Sequence, residues 1–461
     1  MAKKSLVSFY IIAVILSANI FANESIEDDL GGFGQEIITK EVLPIQKEEN
    51  DFILSGDLAF KTSVGYKKHS VDGIEYSGIN QAQTSLYLQL DGKLSDNWKV
   101  RISANVFYDA IYDMYSHNDY SKDIKDDYKT QLRLDDTYIQ GKITSNIDVK
   151  IGRQIVIWGK SDTIRVTDVI NPLDNRLPGM TDIEDLRLSV TMAKLDYYSG
   201  DWNFSFMSIF ENRIMHEAPP RSEFFPVDSM FAVAPDPFLN LETPSNSFDN
   251  MQYAFAANGT FSGWDLSFYA AHVLDQKWHF DHVQGSVALT DTTRIVNKVD
   301  MLGSAVNIAD GSWLYKAEAV YLSGVGYNTT ADKKNRLDFL VGFDYSGFRD
   351  TVISLEVANR HIFEYEAQMK NQADYVDKDE MQTAIRLTRS FENETINANA
   401  LISMFGSEWE NGGFARVWVD YELAEALSLN LGIVDYIGGD KVFMDAIKDN
   451  DRVFADITYS F

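Results

Sequence analysis

The sequence contains no cysteine among its 461 residues, which excludes disulfides and thiolate-bound metals as sources of stability. Proline is scarce, at nine residues, so most of the chain lacks the residue that interrupts regular backbone. No stretch after the amino-terminal segment reaches 18 uncharged apolar residues, which excludes a helical membrane span there. Positive charge is also short. Lys and Arg number 41 against 69 Asp and Glu, a formal net charge of −28. Such a chain offers no basic surface for phosphates, so nucleic acid is excluded as a partner. The motifs G-x-S-x-G, H-E-x-x-H and the phosphate-binding loop are all missing, and nothing else points to an enzyme.

What is present begins with an export signal. Lys3 and Lys4 precede an apolar run from Leu6 to Leu16, followed by the small residues Ser17, Ala18 and Ala22. This pattern reads as a secretory signal peptide over 1–22, the run being too short to span a bilayer. Residues 23–51 are acidic and polar apart from Leu30-Gly31-Gly32-Phe33-Gly34 and read as a periplasmic tail. From 52 to 461 one pattern dominates: apolar and polar residues alternate, as they do along strands with two unlike faces. Aromatic residues make up 13% of the chain, with 23 Tyr and 28 Phe, enough for aromatic belts at two membrane interfaces.

The alternation predicts strands over 53–66, 80–91, 97–110, 131–143, 146–158, 188–199, 201–213, 250–261, 263–275, 298–309, 312–324, 335–347, 350–363, 379–391, 394–405, 412–423, 427–437 and 451–461. Each is close to the ~9–11 residues a tilted strand needs to cross a membrane. Their connections alternate between long and short almost throughout. The segments 67–79, 111–130, 159–187, 214–249 and 276–297 are long, whereas Thr144-Ser145, Ser262-Gly263 and Asp310-Gly311 are tight. Short turns at one end and long loops at the other describe an outer-membrane barrel. The expected fold is therefore all-β: one transmembrane antiparallel barrel of about eighteen strands, with sixteen as the alternative. The last strand fits, because Val453, Ala455, Ile457, Tyr459 and Phe461 share one parity.

Three stretches could carry function. In 147–158 Arg153 falls on the apolar parity, so either a bulge turns it into the lumen, paired with Asp135 or Asp136, or it sits near the outer rim. The following loop, 159–187, holds Arg165, Arg176 and Arg187 against Asp162, Asp168, Asp174, Asp182, Glu184 and Asp185. It either folds inward to narrow a pore, where its charges set ion preference, or stays outside as a solvated loop. Loop 214–249 gathers Pro219, Pro220, Pro226, Pro235, Pro237 and Pro244 with Phe224, Phe225, Met230, Phe231, Phe238 and Leu241. So much apolar surface calls for a plug, a lid or a greasy binding surface. His272, His279 and His282 with Asp275 and Asp281 fit no strict metal-ligand spacing, and no cofactor is expected.

The run Gly152-Arg153-Gln154, Trp158-Gly159, Asp168-Val169-Ile170-Asn171-Pro172-Leu173-Asp174 and Arg176 with Pro178-Gly179 resembles a proteobacterial family of outer-membrane, porin-like barrels of unknown function. That family is distantly similar to alginate-export barrels. The Leu30–Gly34 element is similar to its amino-terminal region. The resemblance implies a channel or conduit in the outer membrane of a Gram-negative bacterium, passing small solutes or hydrophobic molecules. Because such proteins are often encoded beside inner-membrane transporters of the resistance-nodulation-division type, it also implies a possible partner. Leu30, Gly31, Gly32 and Phe33 are then the candidate partner contacts. A barrel enzyme or an adhesin remains a remote alternative.

Overall fold

Strands that alternate apolar and polar side chains place each set on its own face, and eighteen long strands form this way. A computed structural model describes residues 51–227, 239–283, 292–371 and 374–461. The proposed signal, the tail with Leu30, Gly31, Gly32 and Phe33, and the loop residues Met230, Phe231 and Phe238 lie outside the described residues. The chain divides into Met1–Ile53 and Leu54–Phe461, and the second unit is the barrel.

Its strands are β1 (Phe52–Gly65), β2 (Gly78–Ser95), β3 (Trp98–Asp109), β4 (Thr130–Thr144), β5 (Ile147–Gln154), β6 (Val190–Ser199), β7 (Trp202–Ile209), β8 (Gln252–Phe261) and β9 (Trp264–Leu274). They continue with β10 (Lys298–Asp310), β11 (Trp313–Val325), β12 (Lys334–Phe348), β13 (Thr351–Ile362), β14 (Asp379–Phe391), β15 (Ile396–Phe405), β16 (Gly413–Ala424), β17 (Leu427–Ile437) and β18 (Arg452–Ser460). Each pairs with its neighbour in sequence, and β18 returns to β1 with Asp57 opposite Ser460 and Gly65 opposite Arg452. The ring is closed, so no edge strand is left exposed. Eighteen strands stand where eighteen were expected, and the sixteen-strand alternative falls away.

The two faces separate as the alternation predicts. Leu302, Val341, Val453, Ile457 and Tyr459 are exposed on the outer wall, whereas Leu340, Ala358 and Phe454 on the opposite parity are buried. At the short-turn end, Phe261 stacks on Trp264 at 4.4 Å and Trp313 lies 4.4 Å from Tyr345, forming part of an aromatic belt. Gly263 (φ +81°) and Gly311 (φ +59°) take left-handed turn positions there, which glycine enters without a Cβ penalty.

Two expected strands are too long. The strand expected over 201–213 ends at Ile209 in β7, and the one expected over 146–158 ends at Gln154 in β5, where the chain turns away from the wall. The cause in β5 is Asn171. Its amide oxygen accepts from Val156 N–H (2.8 Å), and its amide nitrogen donates to the carbonyls of Gln154 (3.1 Å) and Leu188 (2.8 Å). A side chain thus takes the hydrogen bonds a neighbouring strand would have taken, and the chain leaves the wall.

Candidate functional site

The chain that leaves the wall enters the lumen. Residues 155–189 bury Val156, Trp158, Ile164, Val166 and Ile170 against inward side chains such as Met192, Ile209, Met301 and Leu340. Trp158 stacks on Tyr269 of β9 at 4.7 Å, and the Tyr269 hydroxyl accepts from Gly159 N–H. Burying apolar surface drives the loop inward, but an irregular backbone also brings amides that need acceptors.

Two carboxylates on the wall supply them. Glu318 of β11, 3% exposed, accepts from the amides of Lys160 (2.5 Å), Ser161 (2.8 Å) and Thr167 (3.1 Å), and from the Thr167 hydroxyl (2.6 Å). Glu356 of β13, 1% exposed, accepts from the amides of Asp162 (2.8 Å), Thr163 (3.1 Å) and Ile164 (2.9 Å). Lys316, two residues before Glu318 on the same face, pairs with Asp162 and with Asp344. Together these groups hold the loop tip on the wall.

Gly159 makes the approach possible. Its φ is +92°, and a Cβ placed there would lie 2.7 Å from a Glu318 carboxylate oxygen. The Gly159→Val variant is therefore expected to lift the tip and raise single-channel conductance. An unchanged conductance from a folded variant would refute that role for the glycine.

The second half of the loop is fixed by ion pairs. Asp168 takes Arg187 at 2.8 Å and Arg165 at 3.5 Å, and Arg165 also reaches Gln276. Asp174 accepts from Nε and Nη2 of Arg176 (2.7 and 2.6 Å) and from Arg133 (3.2 Å). Burial opposes ionisation of Asp174, yet the hydrogen bond and charge of Arg176 hold its carboxyl below the usual carboxylate range. Burial lowers the Arg165 pKa from the usual arginine value, with Asp168 acting the other way. Asp182 pairs with Arg386 of β14 (2.9 Å) and with Arg416 of β16, whose guanidinium lies 3.8 Å above Trp418.

Arg153 stands apart. It shares its register row with Thr137 and Thr191 and stays on the outer parity of Ile151, near the long-loop end of β5. It pairs with Glu211 and donates to the Leu134 carbonyl (2.8 Å). The expected lumen pairing with Asp135 or Asp136 does not form. Asp135 takes Arg133 (2.6 Å), and Asp136 accepts from the Ser189 hydroxyl (2.7 Å). Glu211 lies just beyond β7 and also accepts from the amide and hydroxyl of Thr191, so it is the acceptor beside Arg153 at the rim.

The described residues 214–227 lie at the long-loop end. Phe224, Phe225 and Val227 are buried with Tyr436, Met444 and Ile447. Glu223 and Arg452, the first residue of β18, form a buried pair at 2.7 Å. Leu241 is exposed. The histidines are separated in role: His272 faces Asp300, His279 bonds Asn297, and His282 lies beside Asp281.

Among the described residues, hollows flank the inserted loop. One of 240 Å³ is lined by Asp182, Arg386, Phe414 and Tyr436, and one of 330 Å³ by Lys61, Arg133, Asp174, Arg176 and Asp185. The first has both apolar and charged lining residues, and the second is mainly polar. Sequence reasoning missed Glu318, Glu356, Lys316, Arg386, Arg416 and the Glu223–Arg452 pair. A charged residue on the lumen parity of an otherwise apolar strand, as at Lys316 and Glu318, is the signal that could have found them.

The family described as "Protein of unknown function (DUF1302)" matches residues 63–461. The chain belongs to DUF1302. No curated protein matches it in sequence. Among solved structures, this DUF1302 chain is similar to the outer membrane protein opdK from Pseudomonas aeruginosa, at 9% identity and a TM-score of 0.50, covering 89% of this chain and 99% of that one. A second structure of that protein, titled OccK1 (OpdK), gives 0.51 at 9% identity over 88% and 98%. OccAB2 of Acinetobacter baumannii gives 0.50 at 9% identity over 89% and 97%. At such identity the likeness is one of fold: an eighteen-stranded barrel of the outer-membrane kind.

Proposed function

We propose that the protein is a passive channel for small solutes in the outer membrane of a Gram-negative bacterium, with residues 155–189 as its constriction and no chemistry of its own. The observation that carries this reading is the loop inside the lumen, pinned by Glu318 and Glu356, with hollows left beside it. An eighteen-stranded barrel is wide enough for an aqueous path, and an inserted loop narrows it. In this reading Arg165, Asp168, Asp174, Arg176, Asp182 and Arg187 shape the constriction by pairing. Because the acidic groups Asp162, Asp168, Asp174 and Asp182 all have cationic partners, they do not give the pore a strong cation preference. Reversal potentials in a salt gradient test this, and a strong cation preference that disappears in Asp182→Asn would contradict it.

A second reading has one observation in its favour. The described residues 214–227 bury Phe224 and Phe225 in an apolar cluster, which suits a conduit for hydrophobic molecules. Such a conduit would be coupled through the tail residues Leu30, Gly31, Gly32 and Phe33 to a periplasmic or inner-membrane component of resistance-nodulation-division type, as the family resemblance implies. Deleting 23–50 from the mature chain separates the two. A diffusion channel keeps its conductance and its transport in cells, whereas a coupled conduit keeps conductance and loses transport.

A further inference from the structure

The arginines around the inserted loop are mostly matched by carboxylates. Arg133 and Arg176 pair with Asp174, and Arg386 and Arg416 pair with Asp182. Two cations on the long-loop side of the lumen are not. Among the described residues, neither Arg360 of β13 nor Lys277, three residues past β9, has a carboxylate within ion-pair distance.

Arg360 shares the inward parity of Glu356 and lies in one register row between Asp338 of β12 and Glu380 of β14. Both neighbours are already taken. Asp338 accepts from Nε and Nη2 of Arg336 (2.8 Å each), and Glu380 pairs with Lys441 (3.0 Å). Arg360 is left with two long bonds to neutral acceptors, the Gln382 side chain (3.3 Å) and the Arg165 carbonyl (3.4 Å). Lys277 is brought to the same place by Gln276, whose side chain accepts from Arg165 and donates to the Val169 carbonyl. Lys277 is exposed, and its ammonium faces Arg336, Arg360, Lys441 and Glu380. Asp275 is turned to the Lys277 backbone amide instead (3.1 Å).

We propose that Arg360 and Lys277 bind the head group of a small monocarboxylate. This deepens the channel reading, resting on it for passage through the pore but not for binding. A guanidinium presents parallel donors that match two carboxylate oxygens, and an ammonium adds a point charge. Such charge-assisted bonds are stronger than the two long neutral ones they replace. Asp338 and Glu380 flank the fork, so a second negative charge on the ligand would meet both of them. Asp377, Glu410 and Asp440, which line a hollow beyond Lys441, act in the same sense. One charge fits and two do not. Gln382 also lines the 240 Å³ hollow beside the inserted loop, which leaves room for the rest of the solute.

The test is saturation-transfer NMR of acetate on the refolded mature protein in detergent. Doubly charged methylphosphonate and ethylammonium are the comparison probes. Acetate is expected to receive saturation from the protein, and the other two far less. Lys277→Gln, at an exposed position, is expected to raise the acetate Kd about tenfold, the weight of one hydrogen bond between charged groups. Arg360→Lys keeps the charge but removes the fork, and is expected to weaken acetate to a similar extent. The gel migration of unheated samples shows whether each variant is folded. Undiminished acetate binding by folded Lys277→Gln, or methylphosphonate bound as tightly as acetate, would overturn the proposal. So would a barrel that conducts but gives acetate no saturation. A folded barrel that binds acetate and passes no current would instead contradict the channel reading and leave the site standing.

Discussion

The Glu318→Ala/Glu356→Ala double variant is expected to pass several-fold more current per channel than the unmodified barrel. The two carboxylates accept from six backbone amides between Lys160 and Thr167. Each amide left buried without an acceptor costs about 1–3 kcal/mol, so the tip gains by moving out to water. The strands themselves keep their ladders, because alanine at two inward positions removes no wall hydrogen bond. Replacement by glutamine is the control: its carbonyl oxygen still accepts, so the pore should open less. Releasing the other end of the loop through Asp182→Ala, which frees Arg386 and Arg416, should add to the effect. A folded double-alanine variant with ordinary conductance would show that the two carboxylates do not hold the constriction.

Arg452→Ala is expected to loosen the cap over the long-loop end. Arg452 and Glu223 are 2% and 9% exposed, and Arg452 also packs 4.8 Å beneath the Phe224 ring. Removing one member of a buried pair strands the other and typically costs about 3–5 kcal/mol. Phe224 and Phe225 would lose their seat against Tyr436, so trypsin should cut at Arg221 far faster in the variant. Replacing both partners, as in Glu223→Met/Arg452→Met, should restore much of the protection, since no unpaired charge is then buried. Equal cleavage rates in the unmodified and Arg452→Ala proteins would rule out this pair as the anchor of the cap.

The wall was legible in the sequence because membrane and lumen impose opposite solvents on neighbouring residues. That demand repeats every two positions, from Phe52 to Phe461, and long and short connections alternate with it. The inward course of 155–189 was legible only as one of two options. Its acceptors come from distant strands: Glu318 lies 158 positions from Lys160, and Glu356 lies 192 from Ile164. No local pattern encodes such a contact. Arg153 shows the same limit. Periodicity places it on the outer parity, where it lies, but its partner Glu211 is 58 positions away, beyond a local pattern that offers only the nearer Asp135 and Asp136. Asn171 lies in the run that resembles the family, yet its role in ending β5 depends on Gln154, Val156 and Leu188 meeting in space.

The most direct test of the constriction is the single-channel conductance of the refolded, signal-free protein in a planar bilayer, measured beside the Glu318→Ala/Glu356→Ala variant. Steady small steps from the unmodified barrel and markedly larger ones from the variant are the predicted result. Silence from a correctly folded barrel, or steps already as large as those of the variant, would contradict it.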